Sequence, residues 1–69
     1  MSGPVYRKSE IVGVSDTSVS DAIETAIARA TKTLRNVEWF EVGEIRGQVK
    51  EGKVSQYQVT LKVGFRLEG

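Results

Sequence analysis

The sequence predicts an α+β domain with the element order β-α-β-β. Three observations carry that reading. A helical period of apolar residues runs from about Ser18 to Asn36, a strict two-residue alternation runs from Gln56 to Leu67, and Glu51-Gly52 divides the C-terminal half into two β-rich segments. A period near 3.6 marks an amphipathic helix, and a period of two marks a strand with one buried face.

Residues 5–14, V-Y-R-K-S-E-I-V-G-V, are rich in β-branched side chains and partly alternating, which predicts the first strand. The following S-D-T-S supplies helix N-caps. Ser18 with Asp21 three residues on resembles a capping box with Asp in place of Glu, and Asp21 and Glu24 suit the first turn, where the macrodipole is positive. Val19, Ala22, Ile23, Ala26, Ile27, Ala30 and Leu34 then form one apolar stripe. A helix over the whole stretch would be roughly 28 Å long. Arg29, Lys32 and Arg35 fall in its C-terminal half, where cations complement the dipole. They read either as a solvated face or as phosphate contacts.

Residues 38–50 and 53–68 predict a long hairpin about Glu51-Gly52. The type I′ turn favours Asn-Gly or Asp-Gly, so a two-residue turn and a longer bulged loop both stay open. In the last strand Tyr57, Val59, Leu61, Val63, Phe65 and Leu67 alternate with Gln56, Gln58, Thr60, Lys62, Gly64 and Arg66. The first set must face the helix. A two-residue turn sets Val49 opposite Val54, Ile45 opposite Gln58, Glu41 opposite Lys62 and Trp39 opposite Gly64. On the other face it sets Val42 opposite Leu61, Phe40 opposite Val63 and Glu44 opposite Val59. Phe40 and Val42 are therefore expected in the helix-covered core. Trp39 is expected on the polar face with Gln58, Lys62, Arg66, Glu41 and Ile45, and Lys62 is the expected partner of Glu41. Arg46 falls on the nominal core side, so it lies at the edge of the layer or is re-aimed by a bulge.

Composition bounds the rest. The chain of 69 residues reads as one domain, 1–69. A core this small contributes about 3–5 kcal/mol at most, and disulfides, metals or oligomerisation usually supplement it. With no Cys and no His, disulfides and the commonest metal ligands are excluded, and self-association is the expected supplement. The same absence removes the commonest general base, and no paired carboxylates are expected beside Trp39, so no acid–base set is apparent. A net charge of +1 with mixed signs disfavours a nucleic-acid partner. No apolar run reaches membrane-spanning length and no signal-peptide h-region is visible, so a cytoplasmic protein with no membrane partner is expected.

A tryptophan on the polar face of a sheet packs at a subunit interface, stacks on a planar ligand, or is simply exposed. Pattern alone leaves the three open. The segments Glu10-Ile-Val-Gly13, Ala28-Arg-Ala30, Lys32-Thr-Leu34, Trp39-Phe-Glu-Val42, Glu44-Ile-Arg-Gly47, Tyr57-Gln-Val59 and Val63-Gly-Phe-Arg-Leu-Glu68 resemble those of the dodecins, from about Tyr6 to Glu68. Dodecins are small flavin-binding proteins that assemble as hollow dodecamers, each subunit a three-stranded antiparallel sheet wrapped around one long helix, and the third strand lies in the centre. The resemblance implies a homododecamer binding flavins as stacked pairs between subunits. Trp39 would be the stacking residue and Gln58 would hydrogen-bond the polar edge of the isoalloxazine. Flavin mononucleotide (FMN) is the flavin expected, with riboflavin the other; Arg46 and Arg66 stand at positions implicated in ligand contact. Coenzyme A binding on the outer surface, by Tyr6, Lys8, Arg29 and Lys32, is a weaker implication.

The function this implies is non-enzymatic flavin storage and buffering, with photoprotective quenching of the flavin by the neighbouring indole. Two alternatives belong to other classes. One is a structural oligomerisation module without flavin, in which Trp39 only packs. The other is a small oligomeric tautomerase-like enzyme using an N-terminal proline amine, which here would need three residues removed before Pro4.

Overall fold

The computed structural model describes residues 3–68. The elements are β1 (Tyr6–Ser15), α1 (Val19–Ala30), β2 (Val37–Lys50) and β3 (Lys53–Arg66). The three strands form one antiparallel sheet in the order β1-β3-β2. The most regularly alternating strand is thus the central one, and the predicted α+β, β-α-β-β architecture is the one observed.

The helix is shorter than its apolar period predicts. It ends at Ala30 after 12 residues, about 18 Å, so of the three cations only Arg29 lies in the last turn. The reason is local. Thr31 turns its hydroxyl back onto the carbonyls of Ile27 and Ala28, at 3.0 and 3.1 Å, and Thr33 does the same to Ala30. Such hydroxyls offer the backbone an alternative to continuing the helix. Asn36, in the left-handed region at φ 64°, then turns the chain into β2. At the other end the capping box is half formed. Ser18 accepts from the Asp21 amide at 2.9 Å, but the Asp21 carboxylate accepts a hydrogen bond from the Ser15 hydroxyl at 2.7 Å rather than reaching back to Ser18. Ser15, only 7% exposed, also accepts from the amides of Thr17 and Ser18. One hydroxyl thereby ties the end of β1 to the start of α1.

The core is small. Ala22 and Ala26 on the helix lie against Val59, Leu61 and Val63 of β3, with Ile11, Val19, Ile23, Ile27, Leu34 and Val37 around them. Alanines four residues apart let the helix approach closely. At Gly13 of β1 an added Cβ would stand 2.2 Å from the Ala22 carbonyl oxygen, so only glycine fits.

The helix packs on β1 and β3, not on β2. Phe40 and Val42 do face the same side as Val63 and Leu61, as pairing predicts, yet the chain's own helix does not cover them. Phe40 stays 47% exposed on an open groove of about 400 Å³ beside Ile23 and Ile27. The expectation that Phe40 and Val42 lie in a helix-covered core is corrected to that extent. The molecule is 57 Å long with a radius of gyration of 14.5 Å, against about 11 Å for a compact chain of this length. Its accessible surface of 5211 Å² exceeds the roughly 4,300 Å² of a globular monomer of this mass. The surplus surface includes the apolar flank of β2, which the chain's own helix leaves uncovered.

Candidate functional site

The hairpin turn is the two-residue form. Lys50 pairs with Lys53, and Glu51 and Gly52 both have positive φ, 52° and 78°, as a type I′ turn requires. From there a plain ladder would have given the predicted register. Three irregularities intervene instead. An extra residue on β3, Ser55, shifts the pairing between Val49 and Gln48, and the Ser55 hydroxyl bonds to the Gln48 carbonyl. An extra residue on β2, within Gly43–Glu44, shifts it back. Between these two bulges Ile45 pairs with Val59 and Arg46 with Gln58. The predictions of Ile45 opposite Gln58 and Glu44 opposite Val59 are thus corrected: Ile45 joins the core side, and Arg46 joins the polar face with Gln58. Beyond the second bulge the predicted pairs return, with Glu41 at Lys62, Phe40 at Val63 and Trp39 at Gly64.

The polar face now divides into two clusters. At one end Lys8, Gly64 and Trp39 form a row across the three strands. The indole lies directly over Gly64. A Cβ there would fall within 2.1–2.6 Å of three ring atoms. Trp39 nevertheless remains 39% exposed, so one side of the ring is on the sheet and the other is open. The Tyr6 ring flanks it, with centroids 6.2 Å apart and planes at 49°. The Tyr6 hydroxyl donates to Glu38 at 2.7 Å, and the Arg66 guanidinium holds the other oxygen of Glu38 at 3.0 Å. The hydrogen bond to Glu38, with its negative charge, pushes the Tyr6 phenol pKa up, because ionisation would set two anions side by side. Lys8, not the expected Lys62, is the close partner of Glu41, at 2.7 Å. That hydrogen bond and charge hold the Glu41 carboxyl below the usual range, with a smaller contribution from Lys62.

At the other end Gln58 faces Arg46, and its amide donates to Gln56 at 2.8 Å. Gln58 lies six residues along β3 from Gly64, about 20 Å at strand rise. Trp39 and Gln58 of one chain share a face but are too far apart to hold the two ends of one three-ring ligand. Arg66 sits with Trp39 and is engaged by Glu38; Arg46 sits with Gln58, with only a loose contact to Glu44 at 3.9 Å. Tyr6 and Lys8 belong to the Trp39 cluster, whereas Arg29 lies across the sheet, lining a groove with Ile11, Ala26 and Thr33. Lys32 lies in the turn beyond the helix. The four residues expected to serve coenzyme A do not converge within one chain.

Glu38 and Gly64 were not singled out from sequence. A signal for Gly64 existed: it interrupts the long polar series of β3 at the position opposite Trp39. Glu38 gave none, because its aim depends on a third irregularity between Val37 and Trp39. Among the described residues no helix is long and apolar enough to cross a membrane.

The profile of the Dodecin family matches residues 5–68. A curated Dodecin of Thermus thermophilus is 58% identical over 66 residues, which cover 96% of each chain. That protein has also been solved with alanine in place of an arginine, at two different positions, and with phenylalanine in place of a tryptophan. The structure of dodecin from Streptomyces coelicolor is 49% identical and matches with a TM-score of 0.92 over 100% of this chain and 99% of its own. The calcium dodecin of Mycobacterium tuberculosis, a calcium-chelating antigen with a calcium-binding site, is 31% identical, with a TM-score of 0.79 over 93% of this chain and 91% of its own.

Proposed function

This chain belongs to the dodecin family, and on that premise we propose that it binds a flavin stacked on Trp39, as a cytoplasmic storage and buffering protein rather than an enzyme. The observation that carries the proposal is the half-open indole: one face rests on Gly64 and the other is left for a partner. Isoalloxazine is flat and electron-poor, and indole is electron-rich. Offset stacking of the two buries apolar area and adds about 0.5–1.5 kcal/mol. The same contact sets an electron donor against the excited flavin, so bound flavin is quenched and its photochemistry limited.

The spacing of the two clusters argues that the ligand is shared. With Trp39 about 20 Å from Gln58 in one chain, a stacked flavin meets the Gln58 carboxamide of another copy, whose donor and acceptor match the pyrimidine edge. Such a site exists only in an assembly, which accords with a homododecamer and with the uncovered flank of β2. Arg46, beside Gln58 and only loosely held, is the better candidate to meet an FMN phosphate; Arg66 is already paired. For coenzyme A, Tyr6 and Lys8 on one side of the sheet and Arg29 and Lys32 on the other could meet only across copies. Glu38 and Glu41 are both ion-paired, which suits binding better than proton transfer.

Titration of FMN into the apoprotein tests the reading. Flavin emission is expected to fall to a plateau at a fixed stoichiometry, and Trp39→Ala is expected to abolish the quenching while size-exclusion light scattering still shows the full assembly. Unchanged emission at stoichiometric protein would sink the proposal for FMN.

A further inference from the structure

The Trp39 ring is not merely present on the open face; neighbours on all three strands determine where it lies. Gly64 is the floor. It is buried, and a Cβ on it would fall 2.1, 2.2 and 2.6 Å from ring atoms Cε2, Cζ2 and Cδ2. Any residue but glycine lifts or turns the indole. Tyr6 is the wall, its ring 6.2 Å from the indole and tilted by 49°. The wall is itself tied down, because the Tyr6 hydroxyl donates to Glu38 on the strand that carries Trp39, and Arg66 on the central strand grips the same carboxylate at 3.0 Å. Glu38 precedes Trp39 at a register irregularity, so its side chain reaches this face rather than alternating away from it. The outcome is an aromatic side chain with about two degrees of rotational freedom that is confined before any ligand arrives.

We propose that Gly64 and Tyr6, the latter held by Glu38 and Arg66, are positioning residues that fix the Trp39 indole as a preformed stacking surface. Affinity then depends on them although neither contacts the stacked face. The proposal deepens the flavin reading and rests on it. Stacking onto a ring that is already fixed costs less ordering entropy than stacking onto a free one, and that saving appears as affinity. Arg66 acts here through Glu38 rather than by meeting the ligand.

Trp39 is the only tryptophan of the chain, so red-edge excitation of the apoprotein reports its ring alone. In the apoprotein its anisotropy is expected to decay only with tumbling of the whole assembly. In Gly64→Ala a fast component appears, and FMN binding weakens about tenfold or more, while light scattering shows the assembly unchanged. Tyr6→Ala is expected to do the same, and Tyr6→Phe, which keeps the ring but loses the tie to Glu38, lies between. An immobile ring in Gly64→Ala and Tyr6→Ala, or a mobile ring with undiminished FMN affinity, overturns the proposal. If Gly64→Ala does not assemble, Tyr6→Ala alone decides by the same two readouts. Failure of the wild-type protein to quench FMN would instead remove the flavin reading, and this proposal with it; wild-type quenching with unaffected variants removes this proposal only.

Discussion

Arg46 stands directly across the ladder from Gln58, one residue away from the pairing that the two-residue turn would impose if the hairpin were regular. Two bulges bracket it and cancel each other, so only the segment between them is displaced. A bulge bends a strand and re-aims its side chains, and here it converts a charge facing the core into one beside an amide. Arg46→Ala is expected to weaken FMN binding about tenfold, as loss of one charge-assisted contact does, and to leave riboflavin binding within about threefold. Parallel titrations with the two flavins check this; an equal loss for both would assign Arg46 to the ring or to the fold rather than to the phosphate.

Gly13 carries the closest approach of α1 to the sheet. Gly13→Ala would drive a methyl against the Ala22 carbonyl oxygen and the Ala26 Cβ, the latter at 2.9 Å, and neither can yield without moving the helix. A cost of about 1–3 kcal/mol is expected, as for overpacked cores. The measurement is the denaturation midpoint at fixed protein concentration, since assembly is linked to stability.

Ser15→Ala removes a hydroxyl that serves two amides and one carboxylate at the β1–α1 junction. The expected loss is about 1–2 kcal/mol, the range for losing a helix cap. Far-ultraviolet circular dichroism during denaturation reads it, and Ser15→Thr, which keeps the oxygen, should recover part of the loss.

Phe40 lies on the uncovered apolar flank of β2, 47% exposed, with Ile45, 58% exposed, further along the same flank. Phe40→Asp or Ile45→Asp places a charge where another copy is expected to pack. Size-exclusion chromatography with light scattering should show smaller species or unfolded chain. A full assembly from both variants would show that this flank faces solvent.

The shifts of Glu41 and Tyr6 have opposite signs. Lys8 lowers the Glu41 pKa, so this contribution to stability is present above the unfolded carboxyl pKa and is lost as pH falls through the lower, folded value. Glu41→Gln should therefore flatten the acid limb of the stability–pH curve. Glu38 raises the Tyr6 pKa, so that contribution is present below the ordinary phenol pKa and is lost as pH rises through the higher, folded value. Ultraviolet titration of phenolate should show Tyr6 titrating late, and Glu38→Gln should return it toward the ordinary range.

The sequence by itself determined the four elements, the inward face of the last strand and the place of Trp39 on the polar face opposite Gly64. These follow from side-chain period and from turn chemistry, both local properties that a linear text carries. The helix end was misplaced because apolar spacing continued past Ala30 while threonine hydroxyls, which the period does not register, stopped it. Tertiary structure alone decided the rest. The bulges that turn Arg46 toward Gln58 depend on how two strands share their hydrogen bonds. The roughly 20 Å between Trp39 and Gln58 became visible only once residues sharing a face were set at strand rise along it. The bare flank of Phe40 depends on which strands one short helix can cover. Each is a relation between elements distant in sequence, which a local side-chain period does not register.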